Sequence, residues 1–127
     1  MNNWPELAAL YEVLPELGSC ALHDVHIDER DTSVTLGFET AHLPEHPLPA
    51  WGEPGAAYNT LYFTLVFTGV RDLRISGIRA EAERKVRITE AATGRWEVAV
   101  AGGTRSIRFS AAGSRVTRVR VGLRGAP

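Results

Sequence analysis

The sequence contains a single cysteine, Cys20, and only one lysine, Lys85, among its 14 basic residues. One thiol cannot form an internal disulfide and is too few for a structural zinc knot. No apolar run approaches the ~20 residues that a membrane-spanning helix needs. The first residues also lack the basic and apolar segments of a secretory signal peptide. We therefore expect a cytoplasmic protein that does not engage a membrane.

Motifs for catalysis or nucleotide binding are also lacking. The glycine-rich segments AGGT and AAGS match neither of the common phosphate-binding patterns. No helix is predicted to begin after Cys20, so nothing there would activate its thiol as a nucleophile. His23 and Asp24 form the HD dipeptide of HD phosphohydrolases, but on a predicted strand and without the further ligands. We expect no enzymatic activity and no cofactor.

The bulk composition is that of a soluble globular domain. Of the 127 residues, 44% are hydrophobic and 23% are charged. A chain of this length buries roughly two thirds of its unfolded surface, enough to fold without disulfides or metals. We expect residues 1–127 to form one domain.

The net charge of -1 conceals an asymmetry between the two halves. Residues 1–70 hold ten acids and one base, whereas residues 71–127 hold five acids and 13 bases. Such asymmetry indicates either a charged partner or two halves that neutralise each other within one sheet.

Residues 2–15, NNWPELAALYEVLP, carry the pattern of a helix. Asn3 is a suitable cap, Pro5 fits the first turn, and Glu6 follows Asn3 at the spacing of a capping box. Apolar residues recur at helical spacing and form one stripe: Leu7, Leu10, Tyr11 and Leu14. Pro15 and Gly18 end the pattern.

The rest of the chain alternates in the manner of β-strands. The segment YNTLYFTLVFTG has bulky residues on both faces, which predicts a central strand. The short separators ATG, AGGT and AAGS predict hairpin turns and an antiparallel meander in the C-terminal half. The fold class is therefore mainly β: an antiparallel β-sandwich or strongly curved sheet of about eight strands with one N-terminal helix. The predicted core comprises Leu36, Phe38, Leu61, Phe63, Leu65, Phe67, Val98 and Val121.

Two histidines and four acids crowd the stretch ALHDVHIDERD at residues 21–31. On a strand, His23 would face inward with Val25 and Ile27, whereas Asp24, His26 and Asp28 would face outward. The outward group could hold a divalent metal in an enzyme. However, alternate side chains of one strand diverge, which favours a polar surface without a metal.

The loop AHLPEHPLPAWGEPGAA is the longest irregular segment. Four prolines stiffen it and exclude it from a central strand. Loops this long are functional or disordered, and Trp51 at its centre argues against disorder. The arginines of the last predicted strands could contact nucleic acid, but few aromatics accompany them, so we expect a solvated basic face instead.

The order of these features resembles the immunity protein 50 family of bacterial polymorphic toxin systems. The likeness covers residues 4–78 and lies in WPELAALY, PELGSCALHDVHID, PLPAW and YNTLYFTLVFTGVRDLRISG. It thins out in the C-terminal hairpins, and Ile78 and Arg79 depart from the family pattern. The resemblance implies a cytosolic, non-enzymatic immunity protein that neutralises a cognate toxin domain by steric occlusion. The alternatives are a β-sandwich that binds a small ligand or carbohydrate, and the metal-dependent enzyme.

We expect the partner-binding surface to lie on the acidic stretch and the stiff loop. An acidic patch would attract a basic toxin, such as a nuclease domain. Tryptophan is enriched among residues that dominate interface energy. The predicted partner-binding residues are Asp24, His26, Asp28, Glu29, Asp31 and Trp51.

Overall fold

The computed structural model of the protein describes residues 4–77, 85–102 and 105–125. Within them the chain forms one short helix, α1 (Pro5–Ala8), and eight strands. The strands are β1 (Ala21–Asp28), β2 (Ser33–Thr40), β3 (Thr60–Thr68), β4 (Arg71–Ser76), β5 (Lys85–Glu90), β6 (Trp96–Gly102), β7 (Arg105–Ala111) and β8 (Gly113–Gly122). Two 3₁₀ turns cover Leu17–Ser19 and Pro49–Trp51.

The strands form two four-stranded antiparallel sheets. The first sheet has the order β1-β2-β3-β8 and the second has the order β4-β7-β6-β5. Neither sheet closes into a barrel, and the arrangement agrees with a sandwich. The predicted fold class is confirmed.

The inner face of the first sheet is built by strict alternation along β2 and β3. Leu36 lies opposite Leu65, and Phe38 lies opposite Phe63, all at most 2% exposed. The rings of Phe38 and Phe63 stack with centroids 5.2 Å apart. Because β3 pairs with β2 on one side and β8 on the other, it is the interior strand that its sequence predicted.

The two sheets meet through aromatic and aliphatic side chains of β3, β6 and β7. Phe67 packs edge-on against Phe109 with ring centroids 5.5 Å apart. Val98 is 3% exposed, so seven of the eight predicted core residues are buried and the eighth, Val121, packs half-buried against them. Among the exposed apolar side chains are Ile75 of β4, at 47%, and Leu123, at 48%, which follows the end of β8.

The segment AAGS is a crossing between the sheets and not the predicted hairpin. The meander prediction holds for β5, β6 and β7, but β8 pairs with β3 in the other sheet. At the crossing the backbone N–H of Ala112 donates to the Thr68 carbonyl at 2.8 Å. Arg108 of β7 therefore lies on a different sheet from Arg118 and Arg120 of β8, whereas a continuous meander would have placed the three arginines on neighbouring strands.

The N-terminal helix is much shorter than predicted. It ends at Ala8, and its cap position is Trp4, with no side-chain capping bond; Asn3 lies outside the described residues. The predicted stripe is nevertheless buried at Leu7, Leu10 and Tyr11. Contacts to the long loop replace further helical turns, because the Leu10 carbonyl accepts the His46 N–H at 2.9 Å and the Tyr11 hydroxyl donates to the His42 carbonyl. No helix among the described residues is long and apolar enough to cross a membrane.

The long loop between β2 and β3 is packed against the fold. Tyr58 is completely buried, and the Trp51 ring meets it edge-on with centroids 6.0 Å apart. At the end of the loop, Asn59 exchanges two hydrogen bonds with the backbone of Arg124, at 2.9 and 2.7 Å. These contacts fix both the loop and the chain that follows β8.

Candidate protein-binding surface

A β-bulge sets the outward residues of β1. Leu22 pairs with Phe38 and Asp24 pairs with Gly37, so His23 is an extra residue without a partner in β2. The extra residue turns His23 outward, where it is exposed. The expectation that His23 faces inward is therefore wrong, although Val25 and Ile27 do face the core.

Beyond the bulge, Asp24, His26 and Asp28 alternate with Val25 and Ile27 as the sequence predicted. We call the side of the first sheet that faces away from the second sheet the outer face. Cross-strand register places these residues on it: Asp24, His26, Thr35, Tyr62, Thr64, Arg118 and Arg120. All seven are exposed or half-buried, so this side of the sheet is uncovered among the described residues.

Tyr62 is the aromatic centre of the outer face. The His23 ring meets it edge-on at 6.1 Å, and the Arg120 guanidinium lies 4.2 Å from the centre of its ring. A cation over an aromatic face is attracted by the ring quadrupole. The half-buried tyrosine is thus held between a histidine from β1 and an arginine from β8.

Two glycines leave room for this arrangement. A Cβ atom at Gly37 would approach the His23 ring to 3.0 Å. A Cβ atom at Gly122 would approach the Tyr62 ring to the same distance. Side chains at these two positions would therefore push His23 and Tyr62 away from the sheet. The sequence interpretation missed Tyr62, although an outward aromatic on an interior strand was visible in LYFTL.

The remaining predicted acids form the turn between β1 and β2. One carboxylate oxygen of Asp28 accepts the N–H groups of Arg30 and Asp31, at 3.0 and 3.2 Å. Glu29 and Asp31 are exposed in this turn. The acidic residues therefore gather along one edge of the outer face, and Asp28 also holds the turn.

Trp51 lies apart from those acids. It lines a depression of about 390 Å³ with Leu48 of the loop and Val116 of β8. β8 and β1 are opposite edges of the first sheet, three interstrand spacings or roughly 14 Å apart. The structure thus places the predicted partner-binding residues in two groups, at the two edges of one sheet.

Charge changes sign across the outer face. Asp24 stands on the β1 edge, whereas Arg118 and Arg120 stand on the β8 edge. Glu39 and Arg124 form an ion pair, and the carboxylate of Glu39 raises the pKa of Arg124. Because β8 comes from the basic half of the chain, the two halves do share one sheet, and among the described residues Glu39 and Arg124 pair an acid of the first half with a base of the second.

The described residues contain no group of three or more histidine, cysteine or acidic side chains arranged to hold a metal ion. Cys20 is buried, and burial is the main cause that raises the pKa of its thiol. Its sulfur lies 3.6 Å from the Glu16 carbonyl oxygen. The thiol is therefore a packed side chain in its neutral form at ordinary pH.

The fold and this surface define a two-sheet β protein with an uncovered sheet face that has an aromatic centre and charged edges. Aromatic and arginine side chains are enriched at protein interfaces. The model of one protein family, Immunity protein 50, matches residues 3–122, and the chain belongs to that family. No curated protein matches the chain. No solved structure matches it either.

Proposed function

We propose that this protein neutralises the cognate toxin domain of a bacterial polymorphic toxin system by binding it and occluding its working surface. The observation that carries the proposal is the family match over residues 3–122. Steric occlusion requires no cofactor and no catalytic residue. It takes place in the cytoplasm of the cell that makes both proteins.

The outer face of the first sheet is the surface that we assign to the toxin. Its centre, Tyr62, is a rigid amphipathic ring, and tyrosine is among the residue types that dominate interface energies. Asp24, His26 and Asp28 on the β1 edge attract basic groups of the toxin, for example those of a nuclease domain. Glu29 and Asp31 extend this acidic edge into the adjoining turn.

The depression beside Trp51 provides a second contact region at the other edge. Leu48 is 51% exposed, and Trp51 is half-buried above β8. An apolar group of the toxin placed here would remove both side chains from water. Such burial slows dissociation, whereas the acidic edge mainly accelerates association.

Growth rescue tests the proposed function. The toxin domain encoded beside this gene is expressed from an inducible promoter, with and without the protein. Growth in the presence of the wild-type protein supports the proposal, and continued killing contradicts it. Tyr62→Ala is expected to weaken rescue, whereas Thr89→Ala, an exposed position on the second sheet, serves as the matched control.

A further inference from the structure

The second sheet carries a row of arginines on its outward side. Arg74 of β4 lies opposite Arg108 of β7. On the next strand, β6, Ala99 lies opposite Arg108 on one side and opposite Arg87 of β5 on the other. One cross-strand row therefore runs through all four strands and contains three arginines and one alanine. All three arginines are exposed.

The row borders a depression of about 470 Å³. Ala99 lines it between Arg108 and Arg87, and its small side chain leaves the space that a longer residue would fill. Two acids, Asp72 and Glu97, also line it. The depression is thus a concave surface lined by three arginines and two acids, and Glu97 lies on the interior strand β6, two residues from Ala99. It lies on the sheet that faces away from the proposed toxin surface.

The three arginines have no hydrogen-bond or ion-pair partner among the described residues, even though two acids line the same depression. Arg95 behaves differently, because its guanidinium donates to the Gly69 carbonyl at 3.1 Å and to the Ser110 hydroxyl at 3.0 Å. Like charges placed opposite each other on neighbouring strands destabilise a sheet. Arg74 and Arg108 are such a pair, and an external anion would relieve their repulsion.

We propose that this depression binds an acidic segment of a partner protein, with glutamate or aspartate side chains received by Arg74, Arg87 and Arg108. A guanidinium group matches a carboxylate through two parallel hydrogen bonds. The binding site is separate from the toxin surface, so the inference goes beyond the proposed function and stands without it.

A nucleic acid fits the depression less well than a peptide. Single strands bind through bases stacked on aromatic rings, and the aromatic residue of the lining, Phe109, is buried with only 3% exposed. Asp72 and Glu97 would repel a continuous phosphate backbone. Isolated carboxylates spaced along a peptide can meet the arginines and avoid both acids.

The test uses a fluorescein-labelled peptide in which eight glutamates alternate with serines, and the full-length protein, with fluorescence anisotropy at low salt. The wild-type protein is expected to bind the peptide, and the triple variant Arg74→Gln, Arg87→Gln, Arg108→Gln is expected to bind at least ~10-fold more weakly. The matched control is Arg30→Gln, Arg115→Gln, Arg118→Gln, which removes three exposed arginines elsewhere. Its affinity is expected to stay within about twofold of the wild-type value.

A second variant, Ala99→Glu, places a carboxylate in the row itself and is expected to abolish peptide binding while all arginines remain. Absence of binding by the wild-type protein, or equal losses in both triple variants, would overturn the proposal. Tighter binding of a single-stranded oligonucleotide with eight phosphates than of the peptide would also overturn the proposal, if only the first triple variant weakens the binding of that oligonucleotide. A concentration-dependent dimer abolished by that variant would also overturn it, since a second copy would then be the occupant.

Discussion

At the scale of single residues, two tyrosines in similar surroundings differ in one hydrogen bond. Tyr58 is completely buried, and its hydroxyl has no partner among the described residues. Tyr11 is 3% exposed, and its hydroxyl donates to the His42 carbonyl at 2.5 Å. A buried polar group without a partner costs free energy that a bonded group recovers. The two positions form a natural matched pair.

Tyr58→Phe is expected to raise the free energy of unfolding by about 1 kcal/mol, because it removes an unsatisfied hydroxyl. Tyr11→Phe is expected to lower it by a similar amount, because it leaves the His42 carbonyl without its donor. Urea denaturation of both variants measures the difference. A loss of stability in Tyr58→Phe would show that its hydroxyl has a partner in solution.

The buried side chains of Cys20 and Tyr11 also determine how the stability of the fold changes at alkaline pH. Burial away from water is the largest of the causes that raise the pKa of Cys20 and of Tyr11. The folded state therefore holds these protons more tightly than the unfolded state, and unfolding releases them once pH exceeds their ordinary values. Their contribution is complete below the ordinary thiol pKa of about 8.5 and is lost as pH rises further.

Thermal melts from pH 7 to 10.5 are expected to show a falling melting temperature above about pH 8.5. Cys20→Ala should reduce the slope in the lower part of this range, because one of the two groups is then absent. The comparison is made within each protein, so the loss of packing in the variant does not affect it. A melting temperature that is flat up to pH 10.5 would contradict this interpretation.

At the scale of elements, alternation predicted which side chains face inward on β2 and β3, and there it is right at every position of the predicted core. Alternation gave the wrong orientation for His23 on β1. The bulge adds one residue there, so the inward and outward positions before the bulge are exchanged relative to those after it. Gly37, opposite the bulge, was the available signal, since glycine in a strand often marks a bulge or a close approach.

The predictions of a long N-terminal helix and of a hairpin at AAGS were wrong for a common reason. Both predictions relied on local pattern, whereas tertiary contacts decided the outcome. The Leu10 carbonyl bonds to the loop and not to a further helical turn, and Ala112 bonds to Thr68 of another strand. Contacts between residues distant in sequence cannot be inferred from periodicity within a single segment. For the same reason, the sequence could not show that Trp51 stands apart from the acidic edge.

The sheet crossing depends on Gly69, which has a φ of +61°. A Cβ atom added at Gly69 would lie only 2.8 Å from the Cβ atom of Ala112. Gly94 in the turn between β5 and β6 has a φ of +84° but open space around it. Gly94→Ala is expected to cost about 1 kcal/mol for its backbone conformation alone. Gly69→Ala should cost about 1–3 kcal/mol more, because the crossing strands must also separate.

Chemical denaturation of the two alanine variants tests this difference at the crossing. Equal losses would mean that the crossing accommodates a methyl group and does not need the close approach of Gly69 to Ala112.

At the scale of the whole molecule, the distribution of charge over the first sheet is expected to govern encounter with the toxin. The triple variant Asp24→Asn, Asp28→Asn, Asp31→Asn should slow association and flatten its dependence on salt. Asparagine retains the oxygen with which Asp28 accepts the N–H groups of the turn, so the fold should persist. Stopped-flow association at two salt concentrations measures the effect, and unchanged rates would mean that the acids are ordinary solvated surface.

We propose above that the outer face of the first sheet binds the toxin, with Tyr62 at its centre. The most direct measurement is the dissociation constant of the purified cognate toxin domain for wild-type protein, Tyr62→Ala and the control Thr89→Ala. Tyr62→Ala is expected to weaken binding by at least ~30-fold, corresponding to about 2 kcal/mol, while Thr89→Ala leaves the dissociation constant unchanged. Equal affinity of all three proteins would mean that the toxin binds another surface of the protein.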